Sequence, residues 1–359
     1  MRKKPVIMIT LLIGGQNGGP YVSHMRIMNS ILKDKFQFVP LMVPRARMLL
    51  NPFGFLKFCR VIKKTNPDVV HMSGLQLDGF LVMIACKVAG VRKTVLAIHG
   101  SSNEAAFIKN WHRKIMKLLE KITLEQATIC YGVSDYVSSW DIVKCNSKSK
   151  IRTIYNLPHS IIIFPQEISL RKEFGLSKED VLIVSTGRIT KEKGFDILLS
   201  MIKTGNWSKT EKFIIVGEGD YLETMKKEVI ENQLEVKVLF LGFREDIGGI
   251  LSECDIFIIC SLHETLCNSI IEAGQQSLPV IAPNVGGIPE IIINGFNGFL
   301  VSSNNPTDYV DALEKLVSSS ELRKIMGNNA KKIIDHKFSA ELILREFEQM
   351  YEEIIDDKK

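Results

Sequence analysis

The residues of this chain best suited to chemistry are two cations and two glutamates in its second half. Arg188 and Lys193 lie five positions apart in the glycine-bounded loop 186–196, and such a pair can clamp a diphosphate. Glu264 and Glu272 stand eight positions apart, the first after a strand-like run and the second in the predicted first turn of a helix. A carboxylate there can accept from vicinal ribose hydroxyls. With the free N–H groups of a helix N-terminus, these side chains predict a nucleoside-diphosphate pocket.

The segment between the two glutamates allows further interpretations. Ser269 and Glu272 fit a capping box, in which the glutamate satisfies a backbone N–H, and this role can coexist with ribose binding. Cys267 resembles a nucleophile, but no base lies near it in sequence, so we interpret it as a small residue lining the pocket. We predict that the run leading into the helix contributes to donor binding, namely Thr265, Leu266, Cys267 and Asn268.

Alternating strands and helices must position these residues. Strands are predicted at 6–12, 36–43, 69–72, 94–98, 128–133 and 151–155, and then at 181–185, 213–216, 238–241, 255–259, 279–282 and 299–301. This alternation indicates βαβ units and parallel sheets. We predict a basic domain at 1–163, a second domain at 164–340, and a C-terminal helix at 341–359 that packs back on the first domain.

The first half contributes a glycine loop and a histidine. Gly14 and Gly15 begin a loop after the first strand, where small residues let a phosphate or sugar approach the backbone. The loop is neither a GxGxxG fingerprint nor a Walker A motif. His99 lies just past a strand end and before Gly100, so its side chain is predicted to reach a cleft and to be functional. His71 occupies the equivalent place on another strand, and we interpret it as structural.

Charge divides the chain into two unlike halves. Residues 1–163 contain 24 Lys and Arg against 8 Asp and Glu, a formal charge of +16, whereas residues 164–359 contain 22 against 32, a charge of −10. The first half therefore predicts an anionic partner, namely a membrane surface, a phosphorylated acceptor or nucleic acid. Segments 44–64 and 109–121 mix apolar residues with cations, which favours an anionic membrane surface over nucleic acid, because the aromatic platform of a nucleic-acid module is missing.

The second of these segments has helical periodicity. One predicted face carries Trp111, Ile115, Leu118, Leu119 and Ile122, and the other carries Arg113, Lys114, Lys117 and Lys121. This is the pattern of an interfacial helix, with an ordinary surface helix as the alternative.

Composition excludes several other classes. The 7 cysteines form no CxxC pair, so neither a zinc site nor a disulfide framework is expected, and a reducing cytosol is predicted. Residues 1–13 have the basic and apolar parts of a signal peptide but no cleavage pattern, which favours a first strand. No stretch reaches the roughly 18 to 20 apolar residues of a spanning helix.

Taken in order, these motifs resemble the family 4 retaining glycosyltransferases. The resemblance is dense over 181–301, where it rests on Arg188 and Lys193, Gly217-Glu218-Gly219, 240–243, Glu264 with Glu272, and 278–290. It is looser in the first half, where Gly14-Gly15, His99-Gly100, Val133-Ser134 and Asn156 keep the family order. Thr265 and Cys267 stand where this family often has glycine.

The resemblance implies an α/β fold of two Rossmann-like doubly wound domains facing each other across a cleft, the GT-B arrangement. Arg188 and Lys193 would neutralise the donor diphosphate, Glu272 would bind the ribose and Glu264 the transferred sugar. The base would be held near Gly242 and Phe243, beside the turn at Gly217. His99, Gly14 and Gly15 would approach the reacting centre from the other domain as the domains close.

The resulting prediction is a retaining, metal-independent hexosyl- or N-acetylhexosaminyltransferase. Its donor would be a nucleotide-diphosphate-sugar, with UDP favoured, and its acceptor a hydroxyl of a glycan or lipid-linked glycan in bacterial surface-polysaccharide assembly. We expect no cofactor and no metal, because a DxD-like cluster is missing and protein cations can replace the metal. The predicted location is cytoplasmic, at the inner face of the plasma membrane. A nucleotide-sugar epimerase and a non-catalytic nucleotide-sugar-binding protein remain as alternatives.

Overall fold

The chain forms two compact units. The computed structural model describes residues 4–13, 18–101, 110–147, 151–158 and 169–357. Unit 1 comprises Met1–Leu157 together with Ala340–Lys359, and unit 2 comprises Pro158–Ser339. The predicted domain junction at 163 lies outside the described residues, as do Gly14 and Gly15.

Unit 1 is built on a parallel sheet with the strand order β2-β1-β3-β4-β5-β6 in its described part. The strands are β1 (Val6–Leu12), β2 (Gln37–Val43), β3 (Val69–Ser73), β4 (Thr94–Ile98), β5 (Ile129–Gly132) and β6 (Arg152–Thr153). The helices between them are α1 (Gly19–Asn29), α2 (Ala46–Leu49), α3 (Pro52–Thr65), α4 (Leu77–Val88), α5 (Asn110–Gln126), α6 (Asp135–Ser138) and α7 (Asp141–Asn146). The aliphatic run of β4 is buried throughout, as expected for a central strand with helices on both faces.

Unit 2 contains a second parallel sheet, with the order β12-β11-β10-β7-β8-β9 in its described part. Its strands are β7 (Val181–Thr186), β8 (Glu211–Val216), β9 (Val238–Gly242), β10 (Ile256–Ile258), β11 (Val280–Pro283) and β12 (Gly298–Val301). Its helices are α8 (Leu170–Glu173), α9 (Phe195–Thr204), α10 (Leu222–Glu231), α11 (Ile247–Ser252), α12 (Asn268–Gln275), α13 (Pro306–Val317) and α14 (Ser320–Lys337).

The strand order of unit 2 determines where a ligand can bind. Numbered within the unit, the order is 3-2-1-4-5-6, that of a dinucleotide-binding sheet. The strands β7, β8 and β9 are added toward one side of the sheet, and β10, β11 and β12 are added toward the other. The switch lies between β7 and β10, which are parallel and pair directly through Ile183 and Ile256. In such sheets ligands bind outside the carboxyl ends of the strands at this switch point. Arg188, Lys193 and Glu264 all follow these two strands.

The last helix, α15 (Ala340–Asp356), belongs to unit 1. Its buried stripe includes Ile343, Phe347 and Tyr351, a spacing of four residues that places them on one face. The Tyr351 hydroxyl lies 2.7 Å from Nδ1 of His71 on β3, and Nε2 of His71 lies 3.0 Å from the hydroxyl of Tyr131 on β5. His71 is therefore a structural residue, as its sequence context indicates. Within the described ranges, no helix is long and apolar enough to span a bilayer.

Candidate active site

The loops at the carboxyl edge of unit 2 form one connected assembly. Main-chain hydrogen bonds join neighbouring loops, from N–H to carbonyl: Ile189 to Glu218 (2.8 Å), Gly217 to Gly242 (2.8 Å), Leu262 to Glu192 (3.1 Å) and Gly287 to Glu264 (3.1 Å). Because each loop is tied to the next, side chains far apart in sequence are held in a fixed relation. The structure therefore brings together the loops that carry Arg188, Lys193, Gly217, Gly242 and Glu264.

Glu264 and Lys193 form an ion pair at the centre of this assembly. Lys193 Nζ donates to Glu264 Oε1 at 2.7 Å, and their side chains are 22% and 11% exposed. A third residue, Ser261, donates its hydroxyl to the same oxygen at 2.9 Å. The ammonium group has three N–H donors, so Lys193 can bind Glu264 and still donate to an anion.

Arg188 lies at the mouth of the same edge. It follows β7 directly after Gly187 and is exposed. Its guanidinium makes no side-chain hydrogen bond or ion pair with any residue in the described ranges. Arg188 can therefore turn its planar set of donors toward a ligand without first breaking an internal bond.

Helix α12 begins earlier than the capping-box interpretation requires. Its first residue is Asn268 and its N-cap is Cys267, which makes no side-chain capping bond. Glu272 therefore lies in the second turn, and the placement of Glu272 in a first turn capped by Ser269 was wrong. The cause is that the N-cap is Cys267, a residue type without a preference for capping, so the sequence does not mark the start of the helix. Glu272 is partly buried on the helix that follows the switch-point strand β10.

The segment before α12 is partly enclosed. Leu266 and Cys267 are buried, whereas Thr265 and Asn268 are partly exposed. Burial raises the pKa of the Cys267 thiol to about 12, and its sulfur lies 3.2 Å from the Ser269 hydroxyl. A thiol with such a pKa is not ionised near neutral pH, so Cys267 lacks the thiolate that nucleophilic chemistry needs.

The turn after β8 requires glycine and brings two strand ends together. Gly217 has φ of +137°, and a Cβ on it would lie 1.9 Å from the carbonyl oxygen of Gly187. Its N–H donates to the carbonyl of Gly242 at the end of β9. Phe243, the residue after Gly242, is 59% exposed, so an aromatic face is available beside the turn at Gly217.

In unit 1, His99 lies beside other histidines. Its ring is edge-on to that of His24, with centroids 6.3 Å apart, and His24 packs on His71 at 4.7 Å. His24 Nδ1 lies 2.7 Å from the carbonyl oxygen of Thr10, so this nitrogen carries the proton and Nε2 is bare. Burial lowers the pKa of His24 to about 4 and that of His99 to about 3. His99 is therefore a neutral ring, and its Nε2 is buried without a hydrogen-bond partner in the part of the chain that the structure describes.

The sequence interpretation missed Ser261 and His24. Ser261 stands three positions before Glu264 in the same polar run, which is a usable signal because such short loops often fold back on themselves. His24 lies within α1, and no sequence motif marks it. Its hydrogen-bond partner is the main-chain carbonyl of Thr10 on β1, and a main-chain partner cannot be recognised from residue types.

Two models of known protein families match the chain. Residues 166–333 match the model described as glycosyl transferases group 1, and residues 30–157 match that of glycosyltransferase family 4. The chain belongs to family 4 of the glycosyltransferases. Its two parallel sheets with flanking helices form the GT-B fold of these enzymes, as the sequence resemblance implied.

Two curated relatives and one solved structure illustrate the range of this family. The chain is 25% identical to N-acetyl-alpha-D-glucosaminyl L-malate synthase of Bacillus anthracis over 307 residues, which is 84% of the chain and 79% of that protein. It is 26% identical to the Escherichia coli UDP-Gal:alpha-D-GlcNAc-diphosphoundecaprenol alpha-1,3-galactosyltransferase over 338 residues, 89% of the chain and 84% of that enzyme. The crystal structure of Anabaena HepE in complex with UDP superposes with a TM-score of 0.80 at 19% identity, covering 97% of the chain and 100% of HepE.

Proposed function

We propose that this glycosyltransferase moves a hexosyl or N-acetylhexosaminyl group from a UDP-sugar to a hydroxyl of a lipid-linked glycan, with retention of anomeric configuration and without a metal. The observation that carries the proposal is the Lys193–Glu264 pair at the β7–β10 switch point, with Arg188 exposed in the loop that carries Lys193. The pair places a cation next to a carboxylate. A nucleotide-sugar needs both groups, because its diphosphate is bound by a cation and its sugar hydroxyls donate to a carboxylate.

Arg188 and Lys193 would bind the diphosphate and stabilise the negative charge that develops as it leaves. The uncapped N-terminus of α12 would add main-chain donors on the same side, because helix N-termini favour anions. Charge stabilisation by such fixed groups is a large contribution to catalysis. By family resemblance, an oxygen of the leaving phosphate would accept the proton of the acceptor hydroxyl.

Glu264 and Glu272 would divide the donor between them. Glu264 Oε1 is occupied by Lys193 and Ser261, which leaves Oε2 to accept from hydroxyls of the transferred sugar. Glu272, on α12, would accept from the ribose. Phe243 and the main chain of Gly242 would hold the base. His99 would hydrogen-bond the transferred sugar as a neutral ring, which avoids placing a positive charge beside the sugar.

The donor and acceptor proposals draw on the relatives. HepE binds UDP, and the E. coli relative transfers galactose from UDP-galactose to a diphosphoundecaprenol-linked sugar. Another relative, 24% identical over 322 residues, is the Staphylococcus aureus capsular polysaccharide biosynthesis glycosyltransferase CapM. These support a UDP-sugar donor, a lipid-linked acceptor and a role in bacterial surface-polysaccharide assembly.

The test is a product assay with defined donors. The protein is incubated with UDP- and GDP-sugars and a diphosphate-lipid-linked saccharide, and lipid products are read by mass spectrometry. We expect one sugar residue to be added from a UDP-sugar, with the product's anomeric configuration, read by NMR, matching that of the donor. Lys193→Ala serves as the inactive control. A donor epimerised without acceptor would favour the epimerase, and a donor bound but unchanged would favour the binding protein.

We further propose that unit 1 contacts an anionic membrane through α2 and α3. Segment 44–64 exposes Met48, Leu50, Phe53 and Leu56, with Phe53 85% exposed. Between Asp34 and Asp68 the chain contains seven Lys and Arg and no acidic residue. Apolar side chains surrounded by cations suit the boundary between anionic headgroups and acyl chains.

Helix α5 supports the same proposal. Ile115 and Leu118 are exposed, and Lys114 and Lys117 are exposed beside them, whereas Glu120 is buried. The sequence pattern placed Arg113, Lys114, Lys117 and Lys121 opposite the apolar residues, but in the folded helix Ile115 and Leu118 are exposed together with Lys114 and Lys117. Trp111 lies outside the side chains that the structure describes.

Vesicle flotation tests the membrane proposal. Phe53→Glu should release the protein from anionic vesicles at low salt, because it adds a charge where an apolar ring would insert. Ile230→Glu is the matched control, since Ile230 is an exposed apolar residue of unit 2. A parent protein that does not float with anionic vesicles at low salt would refute the membrane contact.

A further inference from the structure

The side chain of Glu264 is held by two donors on one oxygen. Lys193 Nζ and Ser261 Oγ donate to Oε1 at 2.7 and 2.9 Å, which fills the two acceptor positions of that atom. Oε2 makes no hydrogen bond with a residue in the described ranges, and it is not buried away from solvent. The carboxylate thus offers one oxygen, and only one, to a ligand.

Lysine alone could not fix this orientation. Its ammonium group is a point charge on a flexible stem, so a carboxylate paired with it can turn about its last torsion while the pair persists. A second donor in a different direction removes that freedom. Ser261 is suited to this role because its side chain is fully buried and therefore held in place. It lies three residues after the end of β10.

The main chain of Glu264 is fixed independently. Gly287 donates its N–H to the Glu264 carbonyl at 3.1 Å. Gly286 has φ of +56°, and a Cβ on it would lie 1.7 Å from the same carbonyl oxygen. Only glycine allows this approach. With both its backbone and Oε1 fixed, the position of Oε2 depends on the Ser261 hydroxyl.

We propose that Ser261 is a positioning residue of the donor site, which aims the free Oε2 of Glu264 at a hydroxyl of the transferred sugar. The inference rests on the proposed function. Ser261 does not contact the donor and acts through Glu264. Its effect is on the stability of the transition state, in which the sugar hydroxyls must be held in one geometry.

The predicted effect separates turnover from binding. In Ser261→Ala, Glu264 keeps Lys193 but loses a hydrogen bond to a charged group, and kcat should fall about 10- to 100-fold. The Kd for UDP, measured by titration calorimetry, should change by less than about threefold, because UDP has no transferred sugar. Ser261→Thr, which keeps the hydroxyl, should restore most of kcat.

Ser252→Ala provides the matched control, since Ser252 donates its hydroxyl to the Gly249 carbonyl elsewhere in unit 2 at 2.7 Å. It should leave kcat at the parent value. Ser261→Ala with parental kcat would overturn the proposal, and so would a folded Ser261→Thr as slow as Ser261→Ala. A parent that transfers no sugar would instead overturn the proposed function, so the two failures are distinguishable.

Discussion

Removal of the Lys193 ammonium should leave Glu264 as a poorly solvated, unpaired carboxylate. A buried ion pair that loses one partner costs about 3–5 kcal/mol. The Lys193 and Glu264 side chains are 22% and 11% exposed, and water that reaches them reduces this cost. Lys193→Ala should therefore lower the free energy of unfolding of unit 2 by about 2–3 kcal/mol. Adding Glu264→Gln removes the unpaired charge, and the double variant should recover about 2 kcal/mol relative to the sum of the two single variants.

Urea unfolding followed by tryptophan fluorescence measures this coupling within unit 2. Trp207 is buried there, donates to the Ile202 carbonyl at 3.0 Å and packs on Phe213. Replacement of Trp111 and Trp140 by Phe leaves Trp207 as the single reporter among the 3 tryptophans. The control pair is Lys203–Glu228, 3.2 Å apart with side chains 35% and 33% exposed, which should couple by less than about 1 kcal/mol.

The same variants connect stability with chemistry. Lys193→Ala should lower transfer by about 10²- to 10³-fold while the protein remains folded, because a fixed cation at a developing charge contributes this much. A Lys193–Glu264 coupling no larger than that of Lys203–Glu228 would refute the structural reasoning. Unaltered turnover in folded Lys193→Ala would remove Lys193 from the proposed mechanism.

Three further predictions concern buried groups. Tyr351→Phe leaves a nitrogen of His71 unpaired and should destabilise unit 1 by about 1–3 kcal/mol in urea unfolding; an unchanged midpoint would contradict the anchoring of α15. Burial holds the pKa of His24 at about 4, below 6.5, so the unfolded chain alone binds this proton between those pH values. The free energy of unfolding should therefore fall by about 1.4 kcal/mol per pH unit from this ring as pH drops from 6.5 toward 4, and His24→Gln should flatten that slope; equal slopes would count against it. Cys267→Ser should keep transfer within about threefold, whereas complete loss in a folded variant would restore a chemical role for the thiol.

Strand patterns carried most of the fold. The aliphatic runs of β1, β4 and β7 predicted buried parallel strands, and the structure places them at nearly the same residues. Parallel strands that alternate with helices have their carboxyl ends on the same side of the sheet. Arg188, Lys193 and Glu264 follow such strand ends, and the sequence therefore predicted that the three residues would lie on that side.

Side-chain pairings could not be predicted in the same way. Lys193 and Glu264 were assigned to different parts of the donor, and their 2.7 Å contact with each other depends on loop paths that periodicity does not encode. The start of α12 was missed because Cys267, a residue without a preference for capping, is its N-cap. Likewise, the apolar spacing of α15 predicts a buried stripe, but the partner of Tyr351 lies 280 positions away.

The central claim is that the carboxyl edge of unit 2 binds a nucleoside diphosphate, and titration calorimetry with UDP tests it most directly. The parent protein should bind UDP, and Arg188→Ala should bind it about 10- to 100-fold more weakly, because a charge-assisted contact with the diphosphate is lost. Lys209→Ala, an exposed cation just before β8 at the opposite edge of the sheet, should bind UDP like the parent. Equal affinities for the parent and Arg188→Ala, or no binding by the parent, would contradict the claim.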